Sequence, residues 1–442
     1  MALLDTKELI QILDNHDGAS SVVRIDDQNN LHLQSPTGFV RRFSPPAAFP
    51  WNFTTYPVNV VGSHGGRISV DLDPRSLVPT VFAATNFVFV DPVSGSDTTS
   101  AITHDPADDS KPALTLSHAM ALGNAGNAPY RIFAKAGTYV RTSGFHSGAV
   151  YATQPWSVEA YGGRVVTGNF DNLTWTHDGT QTNCYTAPRS NVVRVFDILN
   201  KDSNGYYTEL TQVADAATCN TTQNSWALVS NTTLYVNRGD DAAVTNTNTR
   251  AYLGAALDTL TVKNTGFDTY ISGLDLEGGV TGSFYAFGLS GGYTKNIVAA
   301  DCTFRYAGGS GTNVPCVRME NIDGICAFFR CDASYGWQDG FNVHHASGNS
   351  RTYFLTVDCT GINNGRGTST SNNGWTCHEN TYGIDVNGYY AYNYGGNVHS
   401  IASTQVWAVG TVSAYSYGDK PLGGTYASAS FRIDQAGTPQ PH

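Results

Sequence analysis

Three stretches, Asn296–Gly309 (NIVAADCTFRYAGG), Gly324–Gly336 (GICAFFRCDASYG) and Tyr353–Gly365 (YFLTVDCTGINNG), repeat one pattern: an apolar run, a charged residue, a cysteine and a turn rich in Gly or Asn. Aligning Cys302, Cys331 and Cys359 gives spacings of 29 and 28 residues. That is the length of one coil of a parallel β-helix, whose three strands and three turns need a couple of dozen residues. TYISGLDLEGG before these stretches and WAVGTVSAYSYG after them extend the series. A second series runs one strand earlier in each coil: PCVRMEN, FNVHHAS, TCHENTY and NVHSIAS. Side chains alternate across a strand, so Val343, Cys377 and Val398 point one way and His344, His378 and His399 the other. Aligned on the histidines, Arg318, His344, His378 and His399 share one outward position. Neighbouring coils lie about 4.8 Å apart, so His344 and His378 are hydrogen-bonding neighbours and His399 sits about 10 Å from His344.

Composition agrees with an all-β chain. Only 14% of the 442 residues are charged, 46 are Gly, and aromatics make up 12%. The formal charge of -11, with Lys absent from Asn296 to Asp419, excludes nucleic acid as a partner, because phosphates demand basic patches. Weakly charged, aromatic, polar surfaces suit sugars better. The opening MALLDTKELIQILDNHDG lacks the basic and apolar regions of a signal peptide, and no run of 18 apolar residues exists. The expectation is synthesis in a cytosol without a signal peptide, and no membrane. The eight cysteines form no C-x-x-C pair, and Cys302, Cys331 and Cys359 are expected as buried thiols stacked in a core.

Asp5 to Leu13 can form a short helix with an Asp5…Glu8 capping box. Residues 1–85 read as a head or neck of this helix plus β segments, suited to attachment to a larger particle. Residues 86–442 read as the β-helix. Within them ALTLSHAMAL (113–122) is expected as a helix covering the open end of the first coil. About 167–250, alternating strands and Asn/Gly turns predict an inserted antiparallel β-domain with a hairpin tip at Ser230-Asn231.

The stretch from Tyr335 to Ile401 gathers the potential acids and bases, including four of the chain's 12 histidines. Hydrolysis of a glycoside needs two carboxyl groups about 5 to 9.5 Å apart; Asp339, Asp358 and Glu379 are the candidates. β-Elimination needs a base and a group that stabilises an enolate. His344 or His378 suits the first role, Arg318 or Arg366 the second, with Tyr382 as proton donor. Trp337 and Trp375 are candidate groove walls, and His399 a further substrate contact. Plainer readings stand beside these. Asp339-Gly340 is a common turn dipeptide, Asp358 suits a turn or a structural cation, an outward histidine column can be scaffold, and His345 has inward parity. Gly288–Gly292 fits G-x-S-x-G but no helix follows, so it carries no nucleophile elbow.

VDPVSGSD, KPALTLSHAMAL, YRIFAKAGTYV and the phrases DGFNVH, CHEN and GGNVHSI resemble the right-handed, single-stranded parallel β-helix proteins of the pectin-lyase-like superfamily, and within them bacteriophage tail spikes. The resemblance covers roughly Phe87 to the C-terminus. It implies a homotrimer carried on the virion, joined to a phage tail or baseplate protein through its N-terminal segment. It also implies action at the host cell surface, binding and cleaving a bacterial surface polysaccharide (capsule, exopolysaccharide or O-antigen). No cofactor follows from it, and the acidic calcium cluster of pectate lyases is not recognisable here. Hydrolysis is preferred over elimination. The alternatives are a non-catalytic receptor-binding spike and a bacterial polysaccharide lyase or epimerase.

Overall fold

The computed structural model describes residues 22–25, 31–34 and 40–434, apart from 46–47, 64–67, 146–150, 241, 255–257, 264–265, 289–295, 310–313, 347–350, 367–371, 403, 416–421 and 424–425. The expected helix at Asp5–Leu13 lies outside the described residues.

From Tyr130 onward the chain winds as a right-handed parallel β-helix with three faces. Face 1 stacks Leu260–Lys263, Phe284–Phe287, Val317–Glu320, Phe341–His345, Asn373–Glu379 and Gly396–Ile401, all parallel. On face 2, Thr269, Ile297, Cys326, Phe354, Gly383 and Val406 form one column through successive coils. Face 3 carries Leu274–Glu277, Thr303–Arg305, Asp332–Ser334, Thr360–Ile362 and Tyr389–Ala391. The interior is one continuous column of side chains that includes Val317, Met319, Phe341, Val343, Trp375 and Val398, all fully buried. Each such side chain contributes about 1.5–3 kcal/mol relative to exposure. The cysteine spacing is explained by this packing. Cys302, Cys331 and Cys359 are buried and unpaired, and their thiols donate to main-chain carbonyls such as Ala300 O (3.3 Å), Phe329 O (3.4 Å) and Phe328 O (3.3 Å).

The open N-terminal end is covered by the helix Leu116–Ala125, which buries Leu116, Ala119 and Met120. Gly123 is needed there, since a Cβ would come within 2.2 Å of the Tyr130 ring. The helix starts at Thr115, whose Oγ1 accepts from His118 N at 3.2 Å and donates to Asp97 Oδ2 at 2.8 Å. Thr115→Ala is therefore expected to destabilise the protein by about 1 kcal/mol, read as a lower urea midpoint with an unchanged slope.

The segment before the β-helix is not a separate head where it is described. Its strands Val40–Phe43, Val60–Ser63 and Ile68–Val70 form an antiparallel sheet. Phe49, Trp51, Val58 and Val81 pack on Tyr270, Val298, Leu355, Ile384 and Trp407 of face 2. Asn387 Nδ2 donates to Ile68 O and Asn296 Nδ2 to Leu77 O, both at 2.7 Å. The cause lies in face 2 itself, whose strands Ile297–Ala300 and Gly324–Phe329 are buried at every position and so need an outer cover.

Two sheets between Thr176 and Leu253 form the insertion, antiparallel except where Thr211–Gln212 runs parallel to Ser225–Val229. Val229 pairs with Thr233, and Ser230 and Asn231 between them take left-handed φ values of 51° and 52°. The ends of the insertion meet, with Leu253 N donating to Asn169 O at 3.0 Å. An ion-pair cluster ties it to the coils: Glu209 accepts from the fully buried Arg194 at 3.0 and 2.8 Å and also from Arg366. Burial works against ionised Glu209, but Arg194 and then Arg366 outweigh it and hold the carboxyl down at about 2.

Candidate functional site

The outward side of face 1 carries two parallel columns of side chains. In register across the coils, the first is Tyr285, Arg318, Asn342, Thr376 and His399, and the second is Phe287, Glu320, His344, His378 and Ile401. The alignment of Arg318 and His399 with His344 and His378 is therefore corrected: both keep outward parity but lie two residues along the strand. The inward side chains set this register, since Val317 and Met319 stack on Phe341 and Val343.

Glu320 is the carboxylate that the slipped alignment concealed. It accepts from Arg318 Nε (2.8 Å) and Nη2 (2.6 Å) and from the Tyr285 hydroxyl (2.8 Å), and it stands directly beside His344 in the sheet. One coil further on, the His344 and His378 rings meet edge to face, with centroids 5.8 Å apart. His344 Nε2 lies 2.9 Å from Glu379 Oε2, and His378 Nδ1 lies 3.9 Å from the same oxygen. Glu379 reaches both because the chain turns at this residue with φ of 45°, a left-handed conformation in which the strand ends. Two carboxylates thus bracket two imidazoles across three coils of one partly exposed face.

Burial, followed by the neighbouring His344 and His399, brings His378 down to about 4. It is neutral at pH 7 and able to accept a proton or a hydrogen bond. The unfolded chain binds this proton near pH 6.5 and the folded chain only near pH 4, so lowering the pH through that window favours unfolding. The melting temperature is expected to fall between pH 6.5 and 4, and to fall less in His378→Gln.

No protein-family model matches the chain, and neither does any curated protein. Among solved structures, the chain is similar to the pectate lyase Pel9A, with 13% identity over 82% of this chain and 80% of that one and a TM-score of 0.34. It is similar to the pectin methylesterase PemA from Erwinia chrysanthemi, with 11% identity, 78% and 94% coverage and a TM-score of 0.30. It is also similar to the tailspike protein gp49 from Pseudomonas phage LKA1, with 11% identity, 72% and 56% coverage and a TM-score of 0.23. These are likenesses of fold alone.

The remaining residues singled out in the sequence fall elsewhere. Asp339 is 1% exposed, beneath the rim of face 1, where it accepts from Asn373 N and Asn342 Nδ2, both at 2.6 Å. Burial pushes it up to about 7 against those hydrogen bonds. It positions Asn342 and cannot itself meet a polymer. Asp358 is corrected as a catalytic candidate. It occupies the turn between faces 2 and 3, left-handed like Asp301, Arg330 and Asn387 above and below it, and it accepts from Asn387 Nδ2 at 2.9 Å. Trp375 is corrected as a groove wall, since its ring is fully buried, stacked 4.6 Å from Phe354, with Nε1 donating to Thr356 Oγ1 at 3.0 Å. Trp337 packs at the turn beside Arg194, 6.0 Å from its guanidinium. Arg366 is engaged with Glu209 of the insertion, and Tyr382 stands on face 2 beside Tyr353 and Arg351. His345 points inward and is fully buried, and burial lowers its pKa. Among the described residues no group of three His, Cys, Asp or Glu side chains is arranged to hold a metal ion.

Proposed function

We propose that face 1 cleaves a bacterial surface polysaccharide by glycoside hydrolysis, with Glu320 and Glu379 as the two carboxyl groups and His344 and His378 between them. The observation that carries this reading is the Glu320, His344, His378, Glu379 arrangement itself, displayed on an elongated, partly exposed surface that suits a polymer. Glu379 leans back to His344, which stands beside Glu320, so both carboxyl groups face one stretch of the groove. Glu320, paired with Arg318, is assigned the base that activates water; Glu379, linked to His344, is assigned the proton-donor side.

A second reading, β-elimination of a uronate-containing chain, is favoured by one feature: His378 is neutral at pH 7 and so is a ready base. In either case we propose, from the sequence resemblance, a homotrimeric phage tail spike that acts at the host surface. The test is incubation of the purified protein with surface polysaccharides from a panel of bacteria. Reducing ends without the ultraviolet absorbance of an unsaturated uronate support hydrolysis, and reducing ends with it support elimination. Binding with neither signal makes face 1 a receptor-binding scaffold and overturns both.

A further inference from the structure

The inserted sheets hold a pair of cysteines that the chemistry of face 1 does not use. Cys184 immediately precedes the strand Tyr185–Pro188, and Cys219 sits in the helix Ala216–Thr221, capped by Asp215. Both are fully buried and pack with Ala227 in a small cluster apart from the main core. The two thiols act on each other electrostatically. Their neighbours are clamped independently of sulfur: Asn183 N donates to Asn220 Oδ1 and Asn183 Nδ2 to Asn220 O, both at 2.8 Å. Two chain segments are thereby fixed with their cysteines in one packed cluster.

The cysteines of the β-helix core are placed differently. Cys302, Cys331 and Cys359 also neighbour one another, but as a column held side by side by parallel coils. Cys184 and Cys219 come from the start of a strand and from a helix packed on the same sheet, without that constraint.

We propose that Cys184 and Cys219 are a disulfide site, joined by exchange with a small-molecule disulfide such as oxidised glutathione and stapling the helix to the inserted sheet. One cysteine thiolate attacks a glutathione sulfur, expelling one glutathione thiolate. The other thiolate then attacks the mixed disulfide, forming the Cys184–Cys219 bond and expelling the second. Two cysteines are oxidised, one glutathione disulfide is reduced to two glutathiones, and the two cysteine protons pass to the departing thiolates. The first attack falls to Cys219. The Cys184 S–H, against burial and with help from the Ser225 hydroxyl, brings the Cys219 thiol down to about 7. Access comes during folding or through opening of Ala216–Thr221, a helix too short to persist alone.

The test uses the full chain, both as native protein and during refolding from denaturant, with oxidised glutathione. Free thiols are then alkylated in denaturant without reduction, and peptides are mapped by mass spectrometry. The expected result is that two of the eight thiols escape alkylation. They appear as one peptide pair containing Cys184 and Cys219, lighter by two hydrogens than the reduced pair. Cys184→Ser and Cys219→Ser should each abolish that peptide pair, with Cys184→Ser leaving at most a glutathione adduct on Cys219. Should either variant fail to fold, the map of the unaltered chain decides alone. Eight alkylated thiols after both treatments, or a cross-link within Cys302, Cys331 and Cys359, would overturn the proposal.

Discussion

Replacing Glu379 with Gln is expected to slow polysaccharide cleavage by about 10²–10⁴-fold, the usual contribution of a positioned proton-transfer group. The substitution keeps the shape of the side chain and removes the carboxyl group that sits 2.9 Å from His344 Nε2. It leaves the interior untouched, because the Glu379 side chain is 38% exposed. The melting temperature should therefore stay close to that of the unaltered protein, which separates lost chemistry from lost fold. Glu320→Gln should behave likewise, whereas Asp358→Asn, on a turn between other faces, should retain full activity. Initial rates of reducing-end release read all three. A Glu379→Gln protein within a few-fold of the original rate removes Glu379 from the reaction.

The second large effect concerns stability. Glu209→Ala leaves Arg194 fully buried with only carbonyl partners, Tyr335 O at 2.7 Å and Ala307 O at 3.4 Å. It also releases Arg366. Breaking one side of a buried ion pair costs about 3–5 kcal/mol, because the stranded charge has lost its counter-ion without regaining water. The loss should appear first in the insertion, read through the fluorescence of Trp226, which is buried in that domain's core. A change below about 1 kcal/mol would show that solvent reaches Arg194 and that the cluster does not pin the insertion to the coils.

The architecture was legible in the sequence because the interior of a β-helix repeats. Cys302, Cys331 and Cys359 recur at nearly constant spacing because each fills the same inward corner of its coil. Parity on face 1 was legible for the same reason, since Val343 and Cys377 point in while His344 and His378 point out. The register between coils was harder to read. Matching polar residues by eye placed Arg318 beside His344, whereas matching the inward pairs Val317–Phe341 and Met319–Val343 places Glu320 there. The pattern of apolar residues held the answer that the pattern of charges obscured.

Sequence proximity misled in a second way. One coil visits three faces, so residues a few positions apart can point to opposite sides of the molecule. Asp358 and Tyr382 lie near the histidines in sequence yet occupy a turn and face 2. Trp375 was invisible as a core residue because Gly374 and Asn373 before it look like a turn, while in the structure they begin the strand Asn373–Glu379 and carry the ring inward onto Phe354. Arg366 could be placed only once the insertion was seen folding back onto the coils. Its partner Glu209 lies more than a hundred residues away, and no local pattern joins them.

The central claim is that face 1 is where the polymer is held and cut, and the most direct measurement is a crystal structure of Glu379→Gln soaked with an oligosaccharide of the polymer the protein cleaves. The account predicts sugar rings lying across the coils over Arg318, Glu320, His344 and His378, with a glycosidic bond between Glu320 and the substituted position. Sugar seated instead in the cavity of about 390 Å³ between face 3 and the insertion, lined by Phe170, Asn172, Ile198 and Arg250, with face 1 bare, would contradict it.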